Sequence, residues 1–269
     1  MSKKATLIHH QGFGDLFTSN PIINYYSKFY DEIIVFVSDI NRKKIVDHMF
    51  FDSKNVKCEI PKTIKYNLYN SSCLNCMTPG SPDKCPRDWG RRCEYIDYSF
   101  YNDYENIKIG CFNNYEIWEK FLNDNLVKKV SFSHSFYLFQ NIDLSIRESM
   151  FTTYRDFEVE KKKYYDLNQK NYLIIHDDPI RNLRINLNNE KNLFVYQLNG
   201  SSDVMIDQIK ILENAKEIHM IDSSYSVMVY FLSLINEKIS KIPKFLYKDS
   251  RTRDFLIYEN PTPKNWNVI

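Results

Sequence analysis

Apolar positions in the first sixty residues follow two alternating periods. Ala5-Thr6-Leu7-Ile8 is a short apolar run, Glu32 to Val37 is a β-branched run, and Val56 to Ile60 is a third of the same kind. Between them lie an amphipathic stretch reaching Tyr30 and a segment, Asn41 to Phe50, with Ile45, Val46 and Met49 at helical spacing. The order is β-α-β-α-β, which requires parallel pairing and right-handed crossovers.

From Lys62 to Asn106 the periodicity stops and Pro, Gly, Cys and Asp gather, the pattern of an insertion or long loop. It resumes with a strand at Ile107 to Cys111 and a helix from Tyr115 to Leu126 that buries Ile117, Trp118, Phe121 and Leu122. The first sheet should then have at least four strands. Val130 to Phe139 reads as another helix, and Arg147 to Tyr165 mixes aromatics with charges.

A second alternation follows. Strands are expected at Tyr172 to Ile175, Leu193 to Tyr196, Glu217 to Ile221 and Pro243 to Tyr247. Ser202 or Asp203 can cap a helix carrying Met205, Ile206, Ile209 and Leu212, while Tyr225 to Ile235 is apolar nearly all round and should be buried. From Lys248 to Ile269 little regular structure can be read. The fold class is α/β with two Rossmann-like domains: residues 1–168, with a Cys-rich insertion at 62–106, and residues 169–269. The junction is set near Leu167 to Lys170, where Asn and Gln replace the apolar pattern.

Composition narrows the partners. Of 269 residues 43% are apolar and 15% aromatic, enough for real cores. The formal charge of +2 and the mixing of Lys161-Lys162-Lys163 with acidic residues argue against a nucleic-acid surface and for a solvated helix face. Met1 to Gly12 carries no signal-peptide pattern and the longest apolar run, Val227 to Leu232, is too short to span a bilayer, so a soluble cytoplasmic protein without a transmembrane segment is expected.

The candidate chemistry lies where strands give way to helices. Two of the six glycines fall in His9-His10-Gln11-Gly12-Phe13-Gly14-Asp15, between the first strand and the first helix. Such a turn sets unpaired N–H groups and a helix N-terminus at the carboxyl edge of a sheet, where open α/β folds bind ligands. Asp15 stands at that edge, either as a functional carboxylate or as a plain helix cap. The dinucleotide fingerprint fails because Phe17 occupies the third glycine position, and no Walker A sequence exists.

In the second half, Asp222-Ser223-Ser224 offers amides, hydroxyls and a positive helix end to a diphosphate; an ordinary N-cap is the plain alternative. His176-Asp177-Asp178-Pro179-Ile180-Arg181 follows a strand, and Arg181 and Arg184 can pair with phosphate or simply be surface arginines. Asp177 and Asp178 are a poor metal pair, because adjacent side chains rarely point at one ion. His10 and His176 are candidates for supporting or phosphate contacts, with a satisfied polar residue at a strand end as the plain alternative and the better one for His10; His219, inside a strand, reads as a hydrogen-bonded core residue.

Gly-Asp, five residues, then Pro, after a short strand, resembles the opening of heptosyltransferase-type glycosyltransferases of the GT-B fold. A strand, Asp-Ser and a buried helix near the C-terminus is similar to that family's donor-diphosphate element, with Ser224 standing for the usual glycine. The strand ending in His176 corresponds to the one whose loop contacts the nucleotide sugar, although the usual His-Pro-Gly is absent. Together these cover the opening forty residues and residues 170–235. The resemblance implies a GT-B-like enzyme with a cleft between its domains, inverting and metal-independent, moving a sugar from a nucleotide-sugar donor to a glycan or other hydroxyl acceptor. Asp15 would be the catalytic base; Gly12, Gly14, His176, Asp177, Arg181, Arg184, Asp222, Ser223 and Ser224 would hold the donor. A non-catalytic nucleotide- or sugar-binding protein of the same fold and a zinc-stabilised interaction module remain rivals.

No cofactor is expected for catalysis. Cys73, Cys76, Cys85 and Cys93 fall inside the insertion with two, eight and seven residues between them, a spacing that suggests a structural zinc knuckle, with free or disulfide-bonded cysteines as the alternative. The insertion belongs to the domain expected to hold the acceptor and is expected to shape acceptor choice. Cys58 and Cys111 read as small buried apolar residues.

Overall fold

The computed structural model describes residues 2–9, 12–64, 95–110, 132–167, 170–179, 182–187, 191–198, 204–247 and 266–269. The expected helix from Tyr115 to Leu126, Cys111, His10, the Ser202/Asp203 cap, Arg181 and the four cysteines from Cys73 to Cys93 lie outside them. The chain forms two compact units, Met1–Thr152 and Thr153–Ile269.

In the first unit β1 (Lys4–His9), α1 (Phe13–Tyr26), β2 (Glu32–Phe36), α2 (Ile40–Met49) and β3 (Val56–Glu59) follow in the expected order. The two-stranded ribbon β4 (Thr63–Ile64) and β5 (Tyr95–Ile96) and then β6 (Glu105–Ile109) come next. The main sheet is parallel in the order β3-β2-β1-β6. Alternation puts Ala5, Leu7, Ile33 and Val35 on one face and Ile8, Ile34 and Phe36 on the other, and all seven are buried.

The end of the insertion is not irregular. Ile96 is buried with Ile8, Ile34 and Phe36, and Tyr98, Tyr101 and Tyr104 pack against that cluster. Tyr101 donates to Glu59 at 2.8 Å and Tyr104 to Glu32 at 2.7 Å, so each ring covers the sheet while its hydroxyl reaches a carboxylate at the rim. Burial first, then the bond to Glu32, pushes the Tyr104 phenol up to about 12. Strand β6 also begins two residues earlier than its apolar run, because Tyr30 donates to Glu105 at 2.6 Å and Thr6 to Asn106 at 2.5 Å, drawing both polar residues into register beside β1.

Helix α1 stops at Tyr26 rather than Tyr30. Asn20 pairs with the backbone of Thr152 as a second peptide would, accepting from its N–H at 3.1 Å and donating to its carbonyl at 3.0 Å. Asn24 donates to the Met150 carbonyl at 2.8 Å. Among the described residues this unit also has the α-helices α3 (Phe132–Phe139) and α4 (Ile146–Met150), and the Tyr137 hydroxyl reaches the Thr18 carbonyl at 2.9 Å.

The second unit begins earlier than the junction expected at 168/169. Helix α5 (Phe157–Tyr164) belongs to it, since Arg155 donates to Glu213 at 2.6 Å and grips Glu160, which is fully buried, through two nitrogens. Charged residues without apolar spacing made that anchor invisible to a periodicity reading. Five parallel strands follow, β7 (Tyr172–His176), β8 (Phe194–Gln197), β9 (Ile218–Ile221), β10 (Lys244–Tyr247) and β11 (Trp266–Val268), in the order β11-β10-β9-β7-β8. The last falls where little regular structure could be read; pairing with β10, not propensity, makes it a strand. Among the described residues the unit also has helices α6 (Ile209–Glu213), α7 (Ser224–Ile235) and α8 (Glu237–Lys241), and α7 is buried as expected, with Met228, Val229 and Phe231 wholly inaccessible. Among the described residues no helix is long and apolar enough to cross a membrane.

Two polar core residues are fully accounted for. His219, 5% exposed, lies 3.0 Å from the Tyr247 hydroxyl and 3.2 Å from a Glu217 oxygen, as a hydrogen-bonded core residue should. Lys244 is wholly buried and donates to the carbonyls of Ser240 at 3.2 Å and Ile242 at 2.9 Å, at the end of α8. Burial lowers its ammonium to about 8. An unfolded chain therefore holds more protons than the native one between that value and the ordinary lysine range, so this residue adds stability as pH rises from about 8 toward 10. Lys244→Met should be the more stable protein at pH 7, with the advantage over wild type shrinking toward pH 10; urea titrations at both pH values check this.

Candidate functional site

Each sheet reverses its direction of growth once beside its first strand. In the first unit β2 and β3 extend to one side of β1 and β6 lies on the other; in the second, β8 lies on one side of β7 and β9 on the other. Crossovers leave such a strand pair toward opposite faces, opening a crevice at the carboxyl ends, and ligands of open α/β sheets bind there. The two reversal points are thus β1/β6 and β7/β9.

At the first, β1 ends at His9, Gly12 is the N-cap of α1 and Asp15 is its third residue. Asp15 is not the N-cap: its Oδ2 accepts from the Gly12 N–H at 3.1 Å, the returning half of a capping box. Gly14 lies inside α1, its carbonyl taking the Thr18 hydroxyl at 3.3 Å. On the neighbouring strand, β6 ends at Ile109 and is followed by Gly110, whose φ of 114° is open to glycine and strained for other residues.

A neighbouring arrangement went unread in the sequence. Asp39 caps α2, accepting from the N–H groups of Asn41 at 2.9 Å and Arg42 at 3.0 Å, and the Arg42 guanidinium bonds the same carboxylate while lying 4.8 Å from the centre of the Phe13 ring. Burial works against the ionised Asp39 carboxyl, yet the Arg42 and Asn41 contacts hold it below its usual range. The first turns of α1 and α2 are tied together two residues from Asp15. The Asp-x-x-Arg spacing at a helix start was the available signal.

At the second reversal point, His176 ends β7 and pairs in register with Met220 of β9, two residues before Asp222. Its Nδ1 faces the Leu198 carbonyl at 3.2 Å, so that nitrogen carries the proton, and its ring lies 4.4 Å from the ring of Tyr225 in the first turn of α7. Tyr225 in turn receives a bond from buried Gln208 at 3.3 Å. The strand order therefore brings His176 and Asp222-Ser223-Ser224 to one edge.

Their individual tasks differ from a simple cradle. Ser223 is the N-cap: its Oγ accepts from the Ser226 N–H at 3.4 Å, while the Ser226 hydroxyl accepts from the Ser223 N–H at 2.9 Å. The capping alternative is thus realised for Ser223. Asp177 organises the loop, accepting from Gln197 at 2.9 Å and from the Ile185 N–H at 3.4 Å. Asp178 closes it through paired backbone bonds with Leu183 at 2.8 and 2.9 Å. Arg184 is exposed on the segment leaving this loop.

No family model matches the chain, and no curated protein matches it. Among solved structures it resembles the bacterial iron-containing dodecameric glycosyltransferase TibC from enterotoxigenic E. coli H10407, with a TM-score of 0.44 and 13% identity over 92% of this chain. The chain spans 59% of that protein's chain.

Because its hydroxyl caps α7, Ser223→Ala should cost about 1 kcal/mol in the absence of any ligand. Ser224→Ala should stay within about 0.5 kcal/mol of wild type. Denaturant unfolding of the two variants separates the roles.

Proposed function

We propose that this protein is a glycosyltransferase that moves a sugar from a nucleotide-sugar donor to an acceptor hydroxyl with inversion at the anomeric carbon. The observation that carries the reading is that the two stretches resembling the heptosyltransferase-type family, Gly12 to Asp15 and Asp222 to Ser224, each stand at the carboxyl ends of a reversing strand pair. Such crevices are where open α/β sheets bind ligands.

In this reading Asp15 takes the proton from the acceptor oxygen as it attacks the anomeric carbon. The bond from that carbon to the diphosphate breaks, and the leaving charge is met by the positive end of α7, with His176 beside it. A helix terminus compensates a diphosphate without a divalent cation, so the transfer is metal-independent. Gly14, Asp177, Arg181 and Arg184 belong to the donor side by resemblance. The insertion shapes acceptor choice, and Cys73, Cys76, Cys85 and Cys93 hold a structural zinc that takes no part in the chemistry; metal analysis should find close to one zinc per chain.

One observation favours a rival, a nucleotide- or sugar-binding protein without catalysis: an Asp15 carboxylate bonded to the Gly12 N–H already serves as a helix cap. Asp15→Asn separates the two. Loss of a general base should lower turnover about 10²–10⁴-fold, with the affinity for nucleoside diphosphates, read by thermal stabilisation, unchanged. Undiminished turnover removes Asp15 from the mechanism.

A further inference from the structure

Gly12 has φ −69° and ψ 146°, extended backbone open to any L-residue. Nothing in its own conformation asks for glycine. As an N-cap it is outdone by Ser, Asn or Asp, whose side chains accept from the first turn.

What asks for glycine is the carboxylate three residues on. A Cβ at residue 12 would stand 2.6 Å from Oδ2 of Asp15 and 3.2 Å from its Cγ, the same oxygen that accepts the Gly12 N–H at 3.1 Å. Both atoms belong to a side chain that can rotate. A larger residue at 12 would therefore leave the helix in place and push the carboxylate out of it.

We infer that Gly12 is a positioning residue for Asp15 rather than a donor-binding glycine. Its missing side chain is the space into which the carboxylate folds, and its N–H holds one oxygen, which fixes the rotation of the other. The consequence for turnover rests on Asp15 being the base proposed above; the contact itself does not.

The test compares Gly12→Ala, Asp15→Asn and the double variant, with Gly12→Ser replacing alanine if the weaker cap prevents folding. All should fold, since the backbone accepts either residue. In two-dimensional amide NMR spectra Asp15→Asn should move the residue-12 resonance in the wild type and leave it nearly unmoved in the Gly12→Ala background, where the contact is already broken. With whichever of a panel of UDP-, GDP-, CMP- and ADP-linked sugars the wild type turns over, Gly12→Ala should lower kcat about 10–100-fold, leave the donor KM within about twofold, and add nothing to Asp15→Asn. Equal amide displacement in both backgrounds, or an unchanged kcat in Gly12→Ala where Asp15→Asn lowers it, overturns the inference. If the wild type turns over none of these donors, the transfer reading is what fails, and the amide comparison alone decides whether Gly12 holds Asp15.

Discussion

Parallel pairing is the constraint from which the rest of this molecule follows. A strand held between two parallel neighbours can release its chain only at its carboxyl end, and every return connection must cross a face of the sheet. Because β1 is flanked by β2 and β6, and β7 by β8 and β9, the segments after His9, Ile109, His176 and Ile221 emerge in two pairs. The residues of chemical interest are therefore gathered by hydrogen-bond register between backbones, with no side chain of their own needed to collect them. The shift of His176 against Met220 is what sets the imidazole beside the start of α7.

Around those sheets, buried polarity is satisfied by long-range pairing of a few kinds. Tyr30, Tyr101 and Tyr104 each lay a ring on apolar surface and send a hydroxyl to a carboxylate on a strand of the sheet or at its end. Arg155 joins buried Glu160 to Glu213, which also accepts from Asn236 at 2.8 Å, so α5, α6 and the start of α8 share one ionic knot. Removing one partner of such a knot strands the other charge in a low-dielectric interior, which makes it a determinant of which segments belong to the unit as well as of stability. That is why the unit begins at Thr153 although the apolar pattern resumes only at Tyr172.

What the sequence disclosed was what periodicity encodes. The β-α-β-α-β opening, the second alternation, the buried α7 and the core role of His219 all came from apolar spacing, and the structure agrees on each. Other features depend on partners distant in sequence. Strand β11 exists because β10 offers an edge, the tyrosine layer from Tyr98 to Tyr104 because Ile8, Ile34 and Phe36 present an uncovered face, and the early start of β6 because Thr6 and Tyr30 reach its polar residues. At the candidate site the positions of Asp15, His176 and Asp222-Ser223-Ser224 were legible from strand-to-helix transitions. Their division of labour was not, since whether a hydroxyl caps a helix or faces a ligand is decided by bonds such as Ser226 to Ser223 that spacing leaves open.

The glycines illustrate the same limit. Gly110 and Gly12 both end up beside the first reversal point. Gly110, at φ 114°, answers to its own backbone; Gly12, at φ −69°, answers to the carboxylate of Asp15. In a chain with six glycines, one spent where the backbone does not need it marks an atom that needs the room. The physical content of Gly12 in this protein is therefore its contact with Asp15, one residue beyond the Gly14 of the Gly-Asp pair, and flexibility of the turn has no part in it.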